Sequence, residues 1–170
     1  MEGLEHLTVL ISITLTIAGV VGLSRKGVPE SISGAVWAKA EKLRWIWSWW
    51  IACVAFSRLV PLMGALDDVA WLGWLTVVCL LGAGYPMFRD ESRHWHKVCA
   101  VAAGVLSQVC VACLCPWWLL VWVLWLPLLA GAMAALNDAE EMPCLMAGHS
   151  VFVAECTCAI SLYGCLLFSV

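Results

Sequence analysis

The residues with the richest chemistry crowd into GAGYPMFRDESRHWHK, residues 82–97, where Asp90, Glu91, His94 and His96 stand close together. His149 follows Asp138, Glu140 and Glu141 further along the chain. Imidazole and carboxylate are the ligand set of zinc and other divalent cations. A membrane metallohydrolase would hold its metal in such ligands around an open position, with a metal-bound water as nucleophile. Asp90, His94, His96 and His149 are therefore the candidate metal ligands of an alternative reading, a zinc-dependent membrane hydrolase; the leading reading is a non-enzymatic membrane protein with no cofactor. The spacing is not that of a helical zinc motif, because residues two apart point in different directions on a helix. HExxH is absent, as are a paired Cys-x-x-Cys, a GxSxG elbow and a glycine loop that could cradle phosphate. No catalytic nucleophile is assigned. Without a metal, the stretch reads as a polar connection between membrane helices, whose backbone needs water.

A second pair of groups lies inside apolar runs: Arg58 in IACVAFSRLVPLM and Glu155 in SVFVAECTCAIS. A charge near mid-bilayer costs about 2.5–3.5 kcal/mol on insertion scales, so it normally faces the bundle and finds a partner. Counting about 1.5 Å per residue from the helix starts puts Arg58 about 19 Å and Glu155 about 15 Å from the cytoplasmic face. The expectation is an Arg58–Glu155 pair, forming an intramembrane polar centre for an ion, solute or lipid. The alternatives are that Arg58 snorkels outward toward Asp67 and Asp68, and that Glu155 is protonated and simply hydrogen-bonded. Gln108 with Ser107, and Thr157 with Ser161, are expected to join helices. The cysteines fall mostly within apolar runs and are expected to act as small hydrophobes; the tightest cluster is Cys110, Cys113 and Cys115.

The elements that must carry these groups follow from composition. Apolar residues make up 64% of the 170 and charged residues 12%, against about 45–50% and about 25% for soluble domains. That much apolar surface needs lipid as its solvent, so the chain is expected to be an all-α, polytopic integral membrane protein. About 20 apolar residues cross a bilayer as a helix. Six segments qualify, at about residues 7–24, 45–66, 69–88, 97–115, 117–136 and 145–168. Together they form one transmembrane domain, and the first reads as a retained helix. Leu66-Asp67-Asp68 predicts a tight turn, Cys115-Pro116 another, and Asn137 to Pro143 an acidic loop. SISGAVWAKAEKLRW could lie along the interface, with Ser33 as its cap and Trp37 and Trp45 as anchors. Most of the twelve tryptophans stand near the ends of apolar runs, as headgroup anchors do; Trp122 and Trp125 are deeper and read as packing residues.

Six spans gather eight of the nine basic residues, Arg25, Lys26, Lys39, Lys42, Arg44, Arg89, Arg93 and Lys97, on one side. That bias marks the cytoplasmic face and places both termini outside. The expected partners are the bilayer and, at the basic loops, anionic headgroups. Nothing suggests nucleic-acid recognition, since there is no soluble basic domain. A purely structural membrane subunit is the remaining reading.

GVPESIS followed by a Trp-rich helix, and then CLLGAGYPMFRDESRHWHKVCAVAAGVLSQV, resembles a group of small multi-helix membrane proteins encoded by gut Bacteroidales and their mobile elements. That group carries a Gly-x-Pro-x-Ser-Ile-Ser loop after its first helix and a Cys-x-Gly-Ala-x-Pro-x-Phe stretch before a histidine-led helix. The resemblance covers most of the chain in order; this chain departs from the pattern with GAGYP at 82–86 and with two histidines, His94 and His96. It implies a helical fold in a bacterial inner membrane, and no reaction. A weaker similarity is to the membrane hydrolases that include alkaline ceramidases and adiponectin receptors, which would imply a zinc set of Ser33, Asp90, His94, His96 and His149. Those proteins have seven helices and a histidine pair spaced four apart in a late helix, neither of which is found here.

Overall fold

The computed structural model describes residues 2–25, 32, 41–84, 93–124 and 143–169, which are helical nearly throughout and contain no strand. The α-helices among them are α1 Glu2–Ser24, α2 Glu41–Leu66, α3 Ala70–Gly84, α4 Arg93–Leu114 and α5 Pro143–Ser169. A 3-10 turn, Asp67–Val69, joins α2 to α3, and a 3-10 helix, Pro116–Leu124, follows α4. Four stretches among the described residues are long and apolar enough to cross a membrane: Gly3–Ser24, Arg44–Gly84, His94–Leu114 and Val151–Ser169. The fifth predicted span begins as the 3-10 helix, and its remainder lies outside the described residues. So do the end of the third, the interfacial segment around Ser33 and Trp37, and most of the acidic loop. Helices α1, α2, α4 and α5 start a few residues before the apolar runs, because a helix continues through the headgroup layer once the backbone is committed to it.

The stretch Arg44–Gly84 is folded double. Ser48 Oγ donates to the Gly84 carbonyl at 2.7 Å, so the start of α2 lies against the end of α3. At the other end of this hairpin, a Cβ on Gly73 would come within 3.2 Å of Leu62. Asp67 makes the predicted tight turn with φ of 39°, in the left-handed region that Asp tolerates better than most side chains. α1 runs antiparallel to α2: Trp50 Nε1 donates to the Leu15 carbonyl at 2.7 Å, while Glu5 sits beside Gly64. α4 runs antiparallel to α3, with His96 against Ala83 and Cys110 against Thr76.

α4 and α5 are parallel. Gly104 faces Cys158, Gln108 meets Ser161, and Cys110 and Val111 pack in one cluster with Cys165 and Leu166. The 3-10 helix runs back between them. Trp118 covers Gly164 and stacks on Phe168 with ring centroids 5.8 Å apart, and further along Trp122 reaches Gln108.

Two apolar clusters form the core. One gathers Val9, Leu62, Leu66, Leu72, Leu162 and Leu166 at the end marked by the Asp67 turn. The other gathers Leu23, Ile32, Trp50 and Ile51 around Trp47 at the opposite end. Exposed tryptophans ring both ends, Trp45, Trp49 and Trp95 at one and Trp71, Trp74 and Trp117 at the other. Indole prefers the headgroup layer, which accounts for both rings. Trp47 departs from the end-anchor expectation: it is only 8% exposed and stacks on Trp50 at 4.2 Å, because it lies on the inward stripe of α2.

Candidate functional site

Between the two apolar clusters lies a polar layer built from α1, α2 and α5. Arg58 shares the inward stripe of α2 with Val54, Ala55 and Leu62, all at most 2% exposed, so it faces the bundle. Its Nε donates to the Tyr163 hydroxyl at 2.8 Å, and its guanidinium carbon lies 4.6 Å from the centroid of the Tyr163 ring. Hydrogen bond and cation–π contact together hold the guanidinium against one side chain. Ser12 Oγ and Thr16 Oγ1 each stand 2.7 Å from the same hydroxyl, and the Ser12 carbonyl is at 3.2 Å.

A phenol carries one proton and can accept as well. Arg58 can only donate, so Tyr163 accepts there and gives its proton to the Ser12 carbonyl or to one of the two hydroxyls. Tyr163 is thus the hub of the layer. Ser12 and Tyr163 are both buried. No hydrogen bond or ion pair among the described residues engages the two terminal amino groups of Arg58.

Glu155 has a different partner. Its Oε2 accepts the backbone N–H of Ile32 at 2.6 Å, and the Ile32 side chain packs into the Trp47 cluster. On α5, Glu155 precedes Tyr163 by about two turns, roughly 12 Å along the axis. A direct Arg58–Glu155 ion pair is not among the contacts of the described residues. Depth counted from helix starts assumes that those starts are level; the packing register instead sets Tyr163 opposite Arg58. Arg58 does not reach outward to Asp67 or Asp68 either: its partner is the buried Tyr163.

Gln108 ties α4, α5 and the 3-10 helix together. Its Oε1 accepts from Trp122 Nε1 at 2.8 Å and from Ser161 Oγ at 2.9 Å. Its Nε2 donates to Ser107 Oγ at 3.1 Å and to the Cys158 carbonyl at 3.4 Å. An indole N–H only donates, which fixes the amide orientation. Thr157 bonds its own helix at the Val153 carbonyl.

The histidines of the opening stretch diverge as their spacing dictates. His94 is exposed, whereas His96 is 6% exposed, with Nδ1 2.6 Å from the Ala83 carbonyl near the end of α3. That contact gives a helix-end carbonyl a side-chain partner and leaves Nε2 as the other ring nitrogen. Asp90 and the side chain of His149 lie outside the described residues. Among the described residues no three His, Cys, Asp or Glu side chains come together as a metal site. Cys110 and Cys165 are buried within the Asp67-end core, in line with their reading as small hydrophobes.

Tyr163, Ser12 and Thr16 were not singled out by spacing or charge. Their signals were nonetheless present: Tyr163 is one of only two tyrosines, and Ser12 and Thr16 stand four apart on one face of the first helix. No protein-family model, no curated protein and no solved structure matches the chain.

Proposed function

We propose that the chain is a six-span integral membrane protein with both termini outside, which binds or passes a small solute or lipid at the polar layer around Arg58. The span count is supported by the parallel α4 and α5, since a chain leaving one and entering the other in the same direction must cross back between them. The orientation is supported by charge: Arg25, Arg44 and Lys97 stand at the end where α2 and α4 start, and Asp67 and Asp68 at the other. A bacterial inner membrane is the compartment this reading carries.

The observation behind the functional part is Arg58 itself. It is a bundle-facing cation between two apolar clusters, held by Tyr163 through one edge, with no acceptor among the described residues at its terminal amino groups. A cation placed so deep is costly and marks a pathway or binding site more often than a packing joint. Thiol chemistry at Cys158, half-buried on α5 between Glu155 and Tyr163, tests it. A small hydrophilic, membrane-impermeant thiol reagent should modify Cys158 in intact membranes, as mapped by mass spectrometry. If Cys158 reacts only after unfolding in dodecyl sulfate, the bundle is closed and the protein is a structural subunit.

A further inference from the structure

We infer that the ligand group taken by the Arg58 centre is an oxyanion, a carboxylate or phosphate bound through the terminal amino groups of the guanidinium. The inference rests on the proposed binding role of this layer and names its chemistry. Guanidinium presents its N–H groups in a planar fork that matches two oxygens of a carboxylate or phosphate. In this chain Nε is committed to Tyr163 and the cation lies over the Tyr163 ring, so the fork is held in a fixed attitude rather than swinging on a flexible stem.

The surroundings select for negative charge. Glu155 lies about two turns from Tyr163 along α5, with Oε2 already occupied by the Ile32 amide. Glu5 packs beside Gly64, toward the Asp67 end of α2. The neutral hydroxyls of Ser12 and Thr16 beside Tyr163 add hydrogen-bonding capacity without charge. A metal cation or ammonium group would be repelled here, and a purely apolar ligand would leave a bare charge in a low-dielectric layer. An oxyanion neutralises that charge and satisfies its donors together. Access is favoured from the end that carries Arg25, Arg44 and Lys97, because Asp67 and Asp68 oppose an anion at the other.

Two sources share this chemistry, an anionic lipid headgroup and a free anion, and the Cys158 reaction separates them. The full chain is labelled in phosphatidylcholine nanodiscs, in nanodiscs containing phosphatidylglycerol, and in phosphatidylcholine nanodiscs with added inorganic phosphate or acetate. Bound oxyanion should slow Cys158 modification. Slowing by phosphatidylglycerol alone assigns a lipid headgroup, and slowing by phosphate or acetate assigns a free anion. Arg58→Lys, which keeps the charge and loses the fork, should weaken protection by about tenfold, the scale of one charge-assisted hydrogen bond. Tyr163→Phe keeps the charge and the ring but releases the guanidinium edge, so it should weaken protection too, and it guards against Arg58 variants that fail to fold. If Cys158 reacts but neither lipid nor anion protects it beyond chloride at equal ionic strength, the oxyanion assignment is overturned while the accessible centre stands. If Cys158 never reacts, the binding role itself falls.

Discussion

Gln108→Leu removes a side chain that bonds α4 to both α5 and the 3-10 helix while leaving its bulk nearly unchanged. Three of its hydrogen bonds cross between elements: those from Trp122 and Ser161, and the longer one to the Cys158 carbonyl. Interhelical hydrogen bonds in membrane proteins average about 0.6 kcal/mol each, so the three together are worth about 2 kcal/mol. The loss should not greatly exceed that, because the Ser161 hydroxyl keeps the Cys158 carbonyl at 3.1 Å as an acceptor. Leucine also introduces no polar group that would need one. The assay is unfolding in increasing dodecyl sulfate, followed by labelling of Cys110 and Cys165, whose residues are fully buried until the bundle opens. Gln108→Leu should move the midpoint to lower detergent by an amount worth about 2 kcal/mol, and a double-mutant cycle with Ser161→Ala should return a coupling of about 0.6 kcal/mol. A variant as stable as the parent, with zero coupling to Ser161, would refute the idea that Gln108 clamps these helices.

Two further substitutions probe how the backbone is held. The Trp118 ring occupies the space a Cβ on Gly164 would need, so Gly164→Ala should cost about 1–3 kcal/mol in the same assay, and Trp118→Leu in that background should recover part of it. Asp67 holds φ of 39° in the α2–α3 turn; Asp67→Val should destabilise by roughly 1–2 kcal/mol, whereas Asp67→Gly should be neutral or stabilising.

Much of the architecture was legible because it depends on local quantities. The Leu66-Asp67-Asp68 turn could be read from two acidic residues between apolar runs, and the tryptophan rings from indoles at the ends of those runs. The role of Gln108 as a joint was legible too, since a lone amide at membrane depth must find partners wherever it sits. Trp47 was misplaced as an end anchor because sequence position along a helix does not say which way a side chain faces; one residue to either side turns it by about 100°. The 3-10 form of Pro116–Leu124 has no sequence signal that we can identify.

The candidate site divides along the same line. That Arg58 is a costly, inward-facing cation follows from its place in an apolar run, because burying a charge has a price that does not depend on the fold. Which group answers that charge depends on the relative register of α2 and α5, and a shift of one helical turn changes the partner by about 5 Å. Neither composition nor helix length contains that offset. It is set by how the inward stripes interlock, with Leu62 and Leu66 of α2 packed in one cluster with Leu162 and Leu166 of α5. That interlocking brings Tyr163, Ser12 and Thr16 to Arg58 and gives Glu155 to Ile32.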